Sequence, residues 1–352
     1  MATRNDASPA GDWLDGLWAA LRSLPMQDWL PVLQDAFGLA STVRQDQAIL
    51  PLNRHPPARP CISVIVVSHN EGAYLRRTVH SLLQSLPAAG EVIVVDDGSN
   101  DGSARGLSDP QGRLRTFHHV QSLGVSRARN WGASAAQGDI LVFSDAHVEV
   151  ECDWVPLFCS LLARSTTEAV GPAILDYHFR RDHSKGYGLR FRNDSVDQVW
   201  LDQQYSFPYP VPLLGGFFFA MRRGVFKSVG GFDEGMIRYG VEDMEMCIRL
   251  YALGYDCLLV PTVEVAHLST RLTPLPDYQK NWVVVLHNVL RLGVIHYGEE
   301  RLRRLLSHHA SDSVFPAALA RVISSDAPTR WLALMSQRRY TDAEYFRRFN
   351  MP

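Results

Sequence analysis

An α/β fold on a mixed, mostly parallel sheet with flanking helices is predicted by three observations. Short β-branched runs alternate with helical patterns, each run ends in polar or acidic residues, and the 352-residue chain is 46% hydrophobic and 20% charged, enough to bury a large core. The first run is Cys61-Ile-Ser-Val-Ile-Val-Val67, of the kind found in a strand covered on both faces. Glu91-Val-Ile-Val-Val95 and Ile140-Leu-Val-Phe143 repeat the type. Helical patterns lie between them, over Tyr74 to Leu86 and over Ser126 to Gln137 with Gly138 as the stop. Strand and helix in alternation imply right-handed crossovers between parallel strands.

Helical additions flank this unit. In residues 1–40, Trp13, Leu14, Leu17, Trp18 and Leu21, then Trp29, Leu30, Leu33 and Phe37, recur at helical spacing on either side of Pro25. Their charged neighbours Asp15, Arg22, Asp28 and Asp35 would be repelled by an anionic membrane, so packing on the main domain or on a partner protein is expected. Pro51, Pro56, Pro57 and Pro60 mark residues 41–60 as a linker. The catalytic unit is expected over 61–275, and a helical extension over 276–352 that includes Trp282 to His296. Arg301, Arg303 and Arg304 read as a solvated helix face.

A formal net charge of -2 gives no concentrated field for capturing nucleic acid or anionic lipid. Five cysteines, Cys61, Cys152, Cys159, Cys247 and Cys257, form no CxxC pair and sit mostly in apolar stretches, as small buried hydrophobes do. The N-terminal residues lack the layout of a signal peptide, and no run approaches the roughly 18 apolar residues of a membrane span. A cytoplasmic location is expected.

In a parallel sheet the ligand lies beyond the carboxyl ends of the strands. Those ends are Ser68-His-Asn-Glu71, Asp96-Asp-Gly-Ser99 and Ser144-Asp-Ala-His147. In extended backbone Asp145 and His147 project to one side, and a carboxylate with an imidazole suits manganese or a similar divalent ion that also takes diphosphate oxygens. Asp96-Asp97-Gly-Ser is ordinary turn chemistry, and a carboxylate on that turn can also accept the imide N–H of a uracil.

Taken together, Ser63-Val-Ile-Val-Val-Ser-His-Asn-Glu71, Val94-Val-Asp-Asp-Gly-Ser99, Gly124-Val-Ser-Arg-Ala-Arg-Asn130, Gly138 to His147 and Gly230-Gly-Phe-Asp-Glu-Gly-Met236 occur in an order that resembles the family-2 glycosyltransferases of GT-A fold. The likeness is strongest to the polypeptide N-acetylgalactosaminyltransferases, and it runs from residue 61 to about 271. It implies a UDP-sugar donor and a bound Mn2+ (or Mg2+). By position, it makes Asp145, His147 and His267 the metal ligands. Asn70, Glu71, Asp96, Asp97 and Arg127 fall in the donor-binding segments, with Asp96 in the place that reads uracil. Gly215 and Gly216 match the paired glycines beside the donor sugar, although from sequence alone a tight turn or a bulge serves as well.

One departure from the polypeptide enzymes matters. They carry Glu-Asn where this chain has Glu242-Asp243, and they retain anomeric configuration, whereas inverting family-2 enzymes carry Glu-Asp with the aspartate as general base. The resemblance therefore implies inversion with Asp243 as base and Glu242 as a contact to the donor sugar, since an asparagine cannot take the acceptor proton. Carboxylates in a first helical turn are also simple dipole complements. A retaining enzyme like the polypeptide transferases, an inactive nucleotide-sugar-binding module, and a nucleotidyltransferase are the alternatives. The last would carry a glycine-rich basic loop after its first strand, which Ser68-His-Asn-Glu-Gly72 does not resemble. The acceptor is left open among a peptide, a glycan and a small natural product, and Thr270 to Pro276 falls where the relatives have a loop that closes over the donor.

Overall fold

The computed structural model describes residues 62–150, 153–164, 167–176, 185–268 and 282–352. The N-terminal helices, the linker, Cys61, Cys152, the 275/276 boundary and the loop at Thr270 to Pro276 lie outside the described residues.

The sheet begins with β1 (Ile62–Ser68), then α1 (Ala73–Ser85), β2 (Glu91–Asp97), β3 (Leu114–His119), α2 (Val125–Ala135) and β4 (Ile140–Asp145). β1 pairs in parallel with both β2 and β4, and β2 in parallel with β3. The order β4-β1-β2-β3 places a reversal of winding at β1/β4, which is where open α/β sheets bind ligands. The expected strands thus form, each running one to two residues further toward the acidic end than its apolar run.

Alternation along β1 explains why the strand is hydrophobic throughout. Val64 and Val66 face α1 through Leu75, Val79 and Leu82, while Ile65 faces α2 through Ala128 and Ala133. All three strand residues are fully buried, each worth about 1.5–3 kcal/mol. On α2, Gly132 leans so close to the sheet that an added Cβ would meet Ile65 at 2.4 Å.

The second half of the sheet is mixed. After β5 (Val148–Val150) and α3 (Val155–Leu162) come β6 (Thr167–Asp176), β7 (Lys185–Gly186), the hairpin β8 (Leu189–Phe191) and β9 (Gln198–Trp200), β10 (Tyr209–Pro210), β11 (Phe218–Arg222), α4 (Arg223–Ser228), α5 (Glu242–Ala252) and β12 (Asp256–His267). β11 runs antiparallel between β4 and β6, and β12 parallel to β6. α5 starts at Glu242, four residues ahead of the apolar helical pattern that begins at Met246.

Helices α6 (Trp282–His296), α7 (Glu299–His309), α8 (Phe315–Ile323), α9 (Ala327–Met335) and α10 (Asp342–Arg348) close the chain. Leu286, Leu290, Leu305, Leu319 and Phe346 join the same buried cluster as α5 and β4, so these helices share the core of the sheet. Asp194 binds both Arg301 and Arg304, and Glu299 and Glu300 hold Arg303 and Arg304, which leaves the basic helix face neutralised. Among the described residues no helix is long and apolar enough to cross a membrane.

Candidate active site and metal centre

Backbone pairing builds a three-residue cluster at the rim. Asp145 ends β4, and the chain turns through Ala146 and His147 into β5. Thr78 of α1 clamps that turn, since its hydroxyl donates to the Val148 carbonyl at 2.8 Å and accepts the Val148 N–H at 3.0 Å. β5 pairs antiparallel with β12 so that His267 stands opposite Val148, and the Leu268 N–H donates to the His147 carbonyl at 3.0 Å.

Asp145, His147 and His267 then offer ligand atoms that all lie within 4.8 Å of one another. Asp145 Oδ2 is 3.5 Å from His267 Nε2 and 3.9 Å from His147 Nε2, longer than the roughly 3.2 Å limit of a good hydrogen bond. His267 Nε2 is buried without a partner among the described residues. Two imidazole nitrogens and a carboxylate oxygen that converge at such separations fit a divalent cation. Glu71 accepts from His147 Nδ1 at 3.0 Å, which turns Nε2 toward the other two, as an outer carboxylate does behind a metal-bound histidine. Burial alone would raise Asp145, but His267, Arg129 and His147 hold its carboxyl down at about 2. Burial opposes, yet Glu71 and Asp145 raise His147 above its ordinary value.

The residue that ties this cluster to the rest of the site is Arg129, which sequence reasoning passed over in favour of Arg127. Only 2% exposed, Arg129 donates to Asp145 Oδ1 at 3.0 Å, to Glu242 Oε1 at 3.1 Å and to the Gly216 carbonyl at 2.6 Å. Arg127 is exposed and lines a smaller groove of about 510 Å³ with Glu234 and Arg238. The signal was present in the helical period. Ser126, Arg129 and Ala133 form the buried stripe of α2, and a residue two positions from Arg129 falls on the opposite face.

Glu242 and Asp243 open α5. Asp243 accepts the Gly216 N–H at 2.7 Å and the Met244 N–H at 2.8 Å, and burial raises its carboxyl above the usual range. Burial, with Asp243 adding repulsion and Arg129 opposing, pushes Glu242 up to about 7. The glycine pair has its own reasons: a Cβ at Gly216 would meet Asp243 Cβ at 3.0 Å, and one at Gly215 would enter the Phe217 ring at 1.9 Å.

The remaining residues shape the rim. Asn70, at φ 57, accepts the backbone N–H groups of Asn100 and Asp101 and so pins the turn after β2. Asp97 accepts from the Ser122 hydroxyl at 2.7 Å and the N–H groups of Leu123 and Gly124 at 2.6 and 3.0 Å, which fixes the entry to α2. Asp96 takes the Ser99 N–H at 3.1 Å and faces His118 Nδ1 at 2.8 Å. A cleft of about 1090 Å³ is lined by Asn70, Glu71, Asp97, Arg129, the Asp145, His147 and His267 cluster, Gly215, Gly216, Glu242 and Asp243; Asp96 lies outside that lining.

Comparison with known proteins agrees with this architecture. Residues 63–230 match the glycosyl transferase family 2 model, and residues 201–271 match a model described as the N-terminal domain of galactosyltransferase. The chain is 32% identical over 258 residues to polypeptide N-acetylgalactosaminyltransferase 11 of Xenopus tropicalis, covering 68% of this chain and 43% of that one. It is 28% identical over 284 residues to the inactive polypeptide N-acetylgalactosaminyltransferase-like protein 5 of Macaca fascicularis, covering 74% and 63%. The chain therefore spans less than two thirds of the curated relatives it matches. A crystal structure of GalNAc-T7 with UDP, GalNAc and Mn2+ superposes with a TM-score of 0.67 at 19% identity, over 97% of this chain and 65% of that one. By its fold and by both matched segments, this chain belongs to the family-2 glycosyltransferases of GT-A fold and is a relative of the polypeptide N-acetylgalactosaminyltransferases.

Proposed function

We propose that the chain transfers a sugar from a UDP-sugar to an acceptor nucleophile with inversion, with Asp243 as general base. The observation that carries this reading is an aspartate lining the same cleft as the cation-binding cluster, held by two backbone N–H groups and raised by burial. A carboxylate so placed keeps lone pairs for a substrate proton, and a raised pKa makes it a better proton acceptor. The acceptor oxygen attacks the anomeric carbon, its proton passes to Asp243, and the bond from that carbon to the diphosphate breaks with its electron pair leaving on UDP.

Asp145, His147 and His267 would hold Mn2+ or Mg2+, which supplies charge neutralisation to the departing diphosphate. Arg129 fixes Asp145 by one oxygen and leaves the other turned toward the histidines. Glu242, held by Arg129 beside Gly216, is the group for a donor-sugar hydroxyl. Asp96 and Asn70 shape the uracil end of the rim. The cytoplasm remains our reading for the compartment, on the sequence pattern of five cysteines without a CxxC pair.

The tests are direct. UDP release from a panel of UDP-sugars should depend on Mn2+. Asp243→Asn should lower turnover by roughly 10² to 10⁴ while sparing donor binding, the usual cost of removing a general base. Near-normal turnover of that variant, or NMR of the product showing the donor's anomeric configuration, would defeat the assignment in favour of retention. Asp145→Ala should abolish Mn2+ binding by calorimetry, and unchanged binding would refute the metal site.

A further inference from the structure

The two walls of the cleft differ in chemistry, and only one suits a nucleotide diphosphate. The same cleft is also lined by Trp200 of β9, Tyr239, and residues of α6 and α7, namely Trp282, Val285, Val289 and His309. Trp282, Val285 and Val289 are spaced as one helical stripe. Tyr239, Trp200 and Trp282 are 41%, 50% and 44% exposed, so each keeps an open ring surface.

These rings are held in place. Trp200 lies against Gly186, where an added Cβ would enter its ring at 2.2 Å, and Trp282 donates its indole N–H to Asp312. Trp200 also continues an aromatic series that starts at the metal cluster: His147 to His267 at 4.9 Å, His267 to Phe217 at 5.1 Å, and Phe217 to Trp200 at 5.9 Å between ring centres. His309, 9% exposed and with its ring centre 6.2 Å from that of Trp282, has a buried Nε2 with no partner among the described residues. A buried polar atom without a partner in a cleft wall calls for a ligand atom. Val196, which also lines this lobe, keeps a left-handed φ of 70 despite its β-branch, and such strain concentrates at binding sites.

We propose that this lobe is the acceptor site and that it takes a carbohydrate, a pyranose ring whose C–H face stacks on Trp282 and whose hydroxyl pairs with His309 Nε2. The inference rests on the glycosyltransferase reading above. A pyranose joins an apolar face to a rim of hydroxyls, which matches half-exposed aromatic rings beside one isolated polar atom. An extended peptide binds best along an open strand edge, and the stripe of Trp282, Val285 and Val289 is a helix face. The stacked ring presents a second hydroxyl to Asp243, which takes its proton as the oxygen bonds to the anomeric carbon and UDP leaves.

Saturation-transfer NMR with methyl glycosides of glucose, galactose, mannose and N-acetylglucosamine, in the presence of UDP and Mn2+, tests the proposal. At least one should receive saturation at its ring protons and should be glycosylated. Trp282→Ala should weaken it about tenfold, and Trp282→Phe should restore most of the loss. Binding of none of the four glycosides, glycosylation of serine and threonine peptides in their place, or equal affinity in Trp282→Ala would each overturn the carbohydrate lobe. Failure of the unaltered protein to release UDP from any UDP-sugar would instead defeat the enzymatic reading, and glycoside binding in that case would still support the lobe.

Discussion

Two clusters in this molecule are built from carboxylate, guanidinium and imidazole groups and do opposite things with them. Between the sheet and the C-terminal helices, Asp233 receives Arg291 at both oxygens, at 2.7 and 2.8 Å, and Glu245 receives His296 at 3.0 Å and Arg249 at 2.8 Å. Each carboxylate oxygen there has a donor. At the rim, Asp145 spends one oxygen on Arg129 and turns the other to two imidazole nitrogens 3.5 and 3.9 Å away. Buried carboxylates whose oxygens all have donors are scaffold, because a ligand would have to displace an existing partner. A set that converges and stays unsatisfied has a stabilisation still to gain from an ion, which is the physical mark of a site.

The largest effect should come from breaking the scaffold. Arg291→Ala leaves Asp233 fully buried with the Gly235 N–H at 3.0 Å and, as its cationic partner among the described residues, Arg330 at 3.3 Å, and should cost about 3–5 kcal/mol in denaturant unfolding. Replacing both partners, as Asp233→Leu with Arg291→Met, should recover most of that loss, because the interface then buries no unpaired charge. A double variant as unstable as the single would show that the pair does more than satisfy itself.

At the rim the corresponding change is smaller and appears in binding. Glu71→Gln removes the carboxylate behind His147 Nδ1 and should lower Mn2+ affinity by about 10- to 100-fold, with little change in unfolding midpoint without metal. Calorimetric titration decides it. An unchanged affinity would mean that His147 needs no outer partner to face the cluster.

Much of this contrast could be read from the sequence, and the unread part has a definite cause. Strand ends are legible because an apolar run that stops at acidic residues marks both a buried strand and its functional edge, as at Ser68, Asp96 and Asp145. The β5/β12 pairing that brings His267 beside His147 joins segments far apart in the chain, and no local pattern encodes it; only the likeness to a family suggested that partner. Arg129 was missed because a motif names residue types and not the phase of the helix that bears them. Asn70 and Asp97 stand in donor-binding motifs, yet their carbonyl and carboxylate oxygens hold the turns at 99–101 and 122–124. Sequence could not separate contacting a ligand from shaping the loop that does.

The smallest effect is acid sensitivity, and the double variant isolates the scaffold's share of it from that of Asp145. Burial would raise Asp233, but Arg291 and Arg330 hold it below its ordinary value; Glu245 is likewise lowered against burial by Arg249 and His296. A carboxyl lowered in the folded state stabilises fully above its unfolded pKa, about 4, and loses that contribution as pH falls through the folded value. The melting temperature should therefore drop as pH is taken from about 5 to about 3, and the drop should be shallower in the Asp233→Leu, Arg291→Met double variant, which has one such carboxyl fewer. Calorimetric melts across that range give both slopes. Equal slopes would mean that Asp233 does not gain its proton on unfolding, and the charge pairing that sets the scaffold apart from the rim would lose its energetic basis.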